Sequence, residues 1–212
     1  MSNSTNSKLA EIEKLALSPT NKHLHRLLHL SYDTDAEVRF RSLEAENFPP
    51  NNDSLSRIRG GVRDADELVR TACVEILGER MDASSIDLLN QALHDSSALV
   101  RSSAIISLGQ IDQPESIALL KTMHPTLNGL EKLSCSISLY LLGIERYLND
   151  AMLCLYDQDY RVRCATANLA SRFAKDSDKR FVIDKLQNAL TKEETRSASS
   201  SISRAIRDLL PD

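Results

Sequence analysis

The 212-residue chain has no tryptophan and only nine other aromatic side chains, five Tyr and four Phe. Its core must therefore be aliphatic, built from the Leu, Ile, Val and Ala that dominate its 42% hydrophobic content. Six glycines and six prolines are too few and too scattered for a phosphate-binding glycine loop. The four cysteines, Cys73, Cys135, Cys154 and Cys164, have no C-x-x-C or other ligand spacing, which argues against a zinc site and against a disulfide framework. No stretch approaches 18 uninterrupted apolar residues, and the opening MSNSTNSKLAEIEKLAL is polar and mixed in charge. The expectation is a soluble cytoplasmic protein that does not enter a membrane. G-x-S-x-G and H-E-x-x-H are both absent, and no nucleophile, base and orienter can be assembled, so the chain reads as non-enzymatic and without a cofactor.

A basic excess is missing too. The net charge is −4, with 12 Lys and Arg against 16 acids in residues 1–106 and 14 against 14 in residues 107–212. A protein that holds nucleic acid through phosphates shows the opposite balance, so a nucleic-acid partner is disfavoured.

What is present is a repeat. DADELVRTACVEILG, from Asp64 to Gly78, returns as DSSALVRSSAIISLG from Asp95 to Gly109, and its front half recurs as DTDAEVR from Asp33 and DQDYRVR from Asp157. Arg39, Arg70, Arg101 and Arg163 step by 31 or twice 31, with Lys132 on the intervening beat and Arg196 two residues late. Asp33, Asp64, Asp95 and Asp157 step in the same way, with Thr126 between them. Helical apolar spacing and the absence of period-two alternation predict an all-α solenoid of about six helix pairs, forming a single domain over 1–212. The recurring Asp suits a helix cap, and the recurring Arg suits a bidentate ladder to the Asp of the neighbouring unit. Cys73 and Cys135 occupy the slot of Ala104 and read as small buried thiols. Gly78 and Gly109 are expected to close their helices in the left-handed conformation. The C-terminal SASSSIS segment reads as a polar-faced capping helix, which favours a monomer.

The motif D-x-D-x-x-V-R-x-x-A-x-x-x-L-G, preceded by a helix, resembles the short HEAT-like repeats of bacterial proteins, the form first associated with phycobilisome lyases. The resemblance is strongest at Asp64–Gly78 and Asp95–Gly109 and weakest in the fourth and sixth units. It implies a HEAT-like α-solenoid whose second helices line a concave side. The family spans adaptors, chromophore lyase subunits, DNA-alkylation repair enzymes and inhibitory partners, so fold alone does not select an activity.

Functional candidates lie in what the repeat leaves over. From Asp33 to Asp82 there are 12 acids against 7 arginines. Glu44 and Glu75 stand 31 apart and, with Glu46 and Glu79, are expected to form a carboxylate row that holds a basic protein. Tyr140, Tyr147, Tyr156 and Tyr160 cluster after the irregular fourth unit, HPTLNGLEKLSCS. Of these, Tyr140, Tyr156 and Tyr160 are candidate partner contacts. His25 and His29 share a helix face without a third metal ligand nearby. The resulting expectation is a protein-binding module, specifically an inhibitor or immunity protein that neutralises a basic, nuclease-like toxin. The alternative implied by the resemblance is a subunit of a bilin chromophore lyase or similar modifying enzyme. A HEAT-like DNA glycosylase fits poorly with the missing tryptophan and the acidic balance.

Overall fold

The computed structural model describes residues 3–17, 20–45 and 51–210. Among the described residues are thirteen α-helices and no strand. They are α1 (Asn3–Leu17), α2 (Asn21–Leu30), α3 (Ala36–Glu44), α4 (Asn52–Gly61), α5 (Glu67–Glu79), α6 (Ile86–Ala92), α7 (Ala98–Gln110), α8 (Pro114–Met123), α9 (Gly129–Leu141), α10 (Arg146–Leu153), α11 (Tyr160–Phe173), α12 (Lys179–Leu190) and α13 (Arg196–Leu209). The helices form six pairs after α1, as the period predicts. They divide into two compact units, Met1–Ile111 and Asp112–Asp212. Within each unit the second helices stack as an α-solenoid, α3 on α5 on α7 in the first, and α9 on α11 on α13 in the second.

The 31-residue columns explain the core. Val38, Val69, Val100 and Val162 are buried one turn into their helices. Four residues on, Ser42, Cys73, Ala104, Cys135 and Thr166 are fully buried, so the small-residue slot accepts a thiol, a hydroxyl or a methyl. Burial pushes the Cys73 and Cys135 thiols up to about 12, which keeps them neutral.

The two acids of D-x-D divide the labour. The second acid is the cap: Asp35, Asp66 and Asp159 accept from the backbone amides of Glu37, Leu68 and Arg161. The first acid holds the turn and takes the neighbouring Arg. Asp64 accepts from the amide of Asp66 at 3.0 Å and from Arg39 at 2.6 and 3.0 Å. Asp95 accepts from the amide of Ser97 at 2.8 Å and from Arg70 at 2.8 and 2.9 Å. The remaining nitrogen of each Arg donates to two carbonyls of its own turn, as Arg70 does to Asp64 and Ala65 at 2.9 and 3.2 Å. One planar fork thus ties two successive turns together.

The ladder extends further at the first end than the motif suggests. Lys8, 31 residues before Arg39, donates to Asp33 at 2.7 Å, so α1 supplies the first rung of the stack. At the other end, Arg196 opens α13 instead of lying one turn into it: the loop before α13, 191–195, matches those before α5 and α7, but α12 is longer, with 12 residues. There Glu193 takes the place of the acid, accepting from Arg163 at 2.6 and 2.9 Å and from the amide of Thr195 at 2.7 Å.

The left-handed prediction for Gly78 and Gly109 is not met. Both lie inside their helices, which run on to Glu79 and Gln110. After α5 the left-handed residue is Met81, at φ 50°. Gly78 instead allows close approach: a Cβ there would lie 2.6 Å from the Cα of Ser107.

Candidate partner-binding face

On α5 the exposed positions are Glu67, Leu68, Glu75 and Glu79. Leu68 and Glu75 are seven residues apart, close to two turns, and therefore share a face. On α7 the corresponding exposed side chains are Leu99 and Ile106, each 46% accessible, although both are large and apolar. On α3 the same columns hold Glu37 and Glu44. The face therefore grades from charged on α3, through mixed on α5, to apolar on α7.

The carboxylates are not equivalent. Arg41 donates to Glu37 at 3.0 Å and to Glu44 at 3.2 Å, so one α3 guanidinium is shared by two carboxylates and offsets half of their charge. Glu75 accepts from Ser103 of α7 at 2.8 Å, which fixes its position beside Ile106 without cancelling its charge. Glu79 is exposed and accepts no hydrogen bond among the described residues. Glu46 lies outside the described residues. Beside α3 a groove of about 540 Å³ is lined by Leu9, Ile12, Glu13, Glu37, Arg41 and Glu44, among others.

The tyrosines separate in the same way. Tyr140 is fully buried, so it does not present a surface to a partner. Its hydroxyl donates to Asp178 at 2.5 Å, and burial together with that bond pushes its pKa up to about 12. Tyr147 is also buried, edge-on to His124 with ring centroids 4.7 Å apart. Tyr156 and Tyr160 bracket the turn before α11, and both are exposed. Lys192 lies over the Tyr156 ring at 5.7 Å.

The irregular fourth unit forms a buried polar cluster around His124. Its Nε2 lies 2.9 Å from the Ser136 hydroxyl, and its Nδ1 lies 3.2 Å from Lys132 Nζ. Ser136 donates to the Lys132 carbonyl, and Lys132 also donates to the His124 carbonyl. Lys132 can only donate, so Nδ1 accepts and Nε2 carries the proton. Burial, then the Lys132 charge, holds the His124 pKa below its usual value.

Sequence comparison agrees with this geometry. Residues 55–126, which run from α4 to the turn before α9, match the HEAT repeats family. The matched stretch includes both full copies of the motif, at Asp64–Gly78 and Asp95–Gly109. No curated protein matches the sequence. Among solved structures, one chain from the complex of CpcE and CpcF of phycocyanin lyase from Nostoc sp. PCC7120 aligns over 99% of this chain and 91% of its own, with a TM-score of 0.65 and 13% identity. Human deoxyhypusine hydroxylase aligns over 89% of this chain and 85% of its own, with a TM-score of 0.52 and 15% identity. At those identities the likeness is one of fold. Among the described residues no helix is long and apolar enough to cross a membrane.

The exposed leucine and isoleucine of α5 and α7 were not legible as surface residues, because the motif marks both helices as core-forming. The available signal was columnar: Leu68 and Leu99 fall where Glu37 stands, and Ile106 falls where Glu44 and Glu75 stand.

Proposed function

We propose that the chain is a non-enzymatic protein-binding module whose ligand docks on the α5–α7 face. The observation that carries this reading is the exposure of Leu68, Leu99 and Ile106 beside Glu75 and Glu79. Exposed apolar side chains at equivalent positions of packed helices supply contact area, while adjacent carboxylates select charge. The partner is accordingly a protein with a basic, partly apolar contact surface. An inhibitor or immunity role against a basic, nuclease-like toxin is the narrower form of this reading. Glu75 and Glu79 support it, whereas the pairing of Arg41 with Glu37 and Glu44 offsets part of the acidic row. The polar outer positions of α13, Arg196, Ser200 and Arg204, are exposed while Ala198, Ile202 and Leu209 are buried, consistent with a capping helix and a monomeric module.

The test is a pull-down with mass spectrometry, comparing wild type with Glu75→Lys/Glu79→Lys at two salt concentrations. A basic protein retained by wild type, lost from the variant and released by salt supports the reading. Equal retention by both moves the site to the exposed Tyr156 and Tyr160.

A second reading, a subunit of a bilin chromophore lyase, is favoured by the fold match to the phycocyanin lyase complex. It predicts that the purified chain, alone or with a second repeat chain, perturbs the absorbance spectrum of an added linear tetrapyrrole; an unchanged spectrum removes it.

A further inference from the structure

Lys8 makes α1 the counterpart of a second helix, so its other side chains can be placed by the same 31-residue step. Glu13, Glu44 and Glu75 fall on one step and recur on α1, α3 and α5, which are neighbours in the stack. Ala16 and Ala45 fall 62 residues before Gly78 and Ser107, the pair through which α5 packs on α7. Ala16 carries the Cβ that Gly78 lacks, and here α1 and α3 leave the groove of about 540 Å³ between them. That volume lies within the range of about 300–1,000 Å³ typical of clefts that hold a ligand. Leu9, Ile12 and Ala16 form an apolar strip along its α1 side, and Glu13, Glu37 and Glu44 also line it. Arg41, the cation of the lining, is already shared by Glu37 and Glu44, which leaves an excess of two negative charges. Glu13 is exposed, and its carboxylate accepts no hydrogen bond among the described residues.

We infer, building on the protein-binding reading above, that this groove seats a lysine or arginine side chain of the partner, its stem on the α1 strip and its charge between Glu13 and Glu44. Such a side chain matches both halves of the lining, because it is apolar over roughly three or four methylenes and charged only at its tip. A wholly apolar side chain would leave the excess carboxylates unpaired. A metal ion would leave the strip unused, and among the described residues no three carboxylate, imidazole or thiol groups gather as its ligands. The carboxylate column then fixes how the partner lies. Its apolar contact meets Leu99 and Ile106 on α7, and its basic residues follow Glu75, Glu44 and Glu13 toward α1. The reverse orientation would set those cations against the apolar helix.

The experiment is fluorescence anisotropy on the purified full chain with labelled Gly/Ser dodecapeptides that carry spaced lysines, norleucines or diaminobutyric acids. Norleucine keeps the stem without the charge, and diaminobutyric acid keeps the charge on a shorter stem. Each peptide is titrated with wild type, Glu13→Lys, Ala16→Phe, which fills the groove, and Glu75→Lys. Glu13 is exposed and Ala16 half-buried, and circular dichroism verifies that each variant folds; should Ala16→Phe not fold, Glu13→Lys alone decides. The lysine peptide is expected to bind wild type about fivefold or more tighter than either control peptide, and to lose about fivefold or more with Glu13→Lys and with Ala16→Phe. Equal binding of the lysine and diaminobutyric acid peptides overturns the groove, as does a lysine-peptide affinity insensitive to Glu13→Lys and Ala16→Phe. If that affinity falls with Glu75→Lys alone, the protein-binding reading survives on the α5–α7 face without the groove. Absence of saturable binding by the lysine peptide up to about 1 mM also overturns the inference, while the pull-down of the partner protein tests the broader reading independently.

Discussion

A Cβ placed on Gly78 would lie 2.6 Å from the Cα and 2.5 Å from the Oγ of Ser107, so the α5 backbone packs directly on both backbone and side chain of α7 at this point. Ser107 uses the proximity, donating to the Val74 carbonyl at 2.9 Å. Gly78→Ala is expected to lower stability by about 1–3 kcal/mol through overpacking, outweighing a helix-propensity gain of about 1 kcal/mol. Gly60→Ala, where a Cβ meets nothing within 4 Å, is the control and should raise stability by about 0.5–1 kcal/mol. Urea midpoints of the two variants should move in opposite directions.

Arg70 spans two turns through four hydrogen bonds, two to Asp95 and two to its own loop carbonyls. Arg70→Ala leaves a mostly buried carboxylate and two carbonyls without their donor, and should cost about 2–4 kcal/mol. Arg70→Lys should recover only part of this, because a single ammonium cannot reproduce the fork. A Lys variant as stable as wild type in urea would refute the bidentate account.

Glu193 closes the ladder at the other end, and the Arg163 guanidinium holds its carboxyl down to about 2. A carboxylate with a depressed folded pKa contributes stability fully above its unfolded value of 4.5, and the contribution disappears as pH falls towards about 2. Glu193→Gln should therefore be less stable than wild type at pH 7 and equally stable near pH 2. The difference is measured by denaturant unfolding at both pH values.

His124 carries the opposite charge type with the same pH sign. Its folded pKa lies below 6.5, so the unfolded chain binds the proton more readily and stability falls as pH drops below 6.5. Lys132 and Arg146 oppose the imidazolium, and Asp150, at 3.7 Å, partly offsets them. His124→Gln should flatten this part of the pH–stability curve between pH 8 and 5.5. NMR titration of the imidazole should place its midpoint below 6.5.

The thiols differ in reach. Cys73 and Cys135 are buried with pKa values pushed up to about 12, and Cys154 is buried with its pKa raised to about 11. Cys164 is only half-buried. Ellman's reagent at pH 8 should modify Cys164 first, and the other three only after denaturation. Rapid modification of Cys73 in the native chain would contradict its placement.

Repetition is what made this chain legible. The Val, small-residue and Leu columns, the Arg–Asp ladder and the alanine-like use of Cys73 and Cys135 all recur at 31 residues, because each unit makes the same contact with the next. Lys8 falls on the same 31-residue step, although its surroundings lack the motif. The candidate site was less legible. Glu75 was legible from sequence and lies on the mixed face, and the Arg41–Glu44 pair is a local i, i+3 contact within α3, but the burial of Tyr140 and the exposure of Leu99 and Ile106 depend on which neighbours each helix meets.

The amino-acid sequence alone thus determined the helical repeat, its period and the bonds that link one unit to the next, since these arise from local contacts copied along the chain. The tertiary structure decided which carboxylate a neighbouring helix holds, which tyrosines are core, and why Gly78 is a glycine. Those outcomes depend on single side chains of adjacent helices meeting within a few ångströms, and no periodic pattern encodes such meetings.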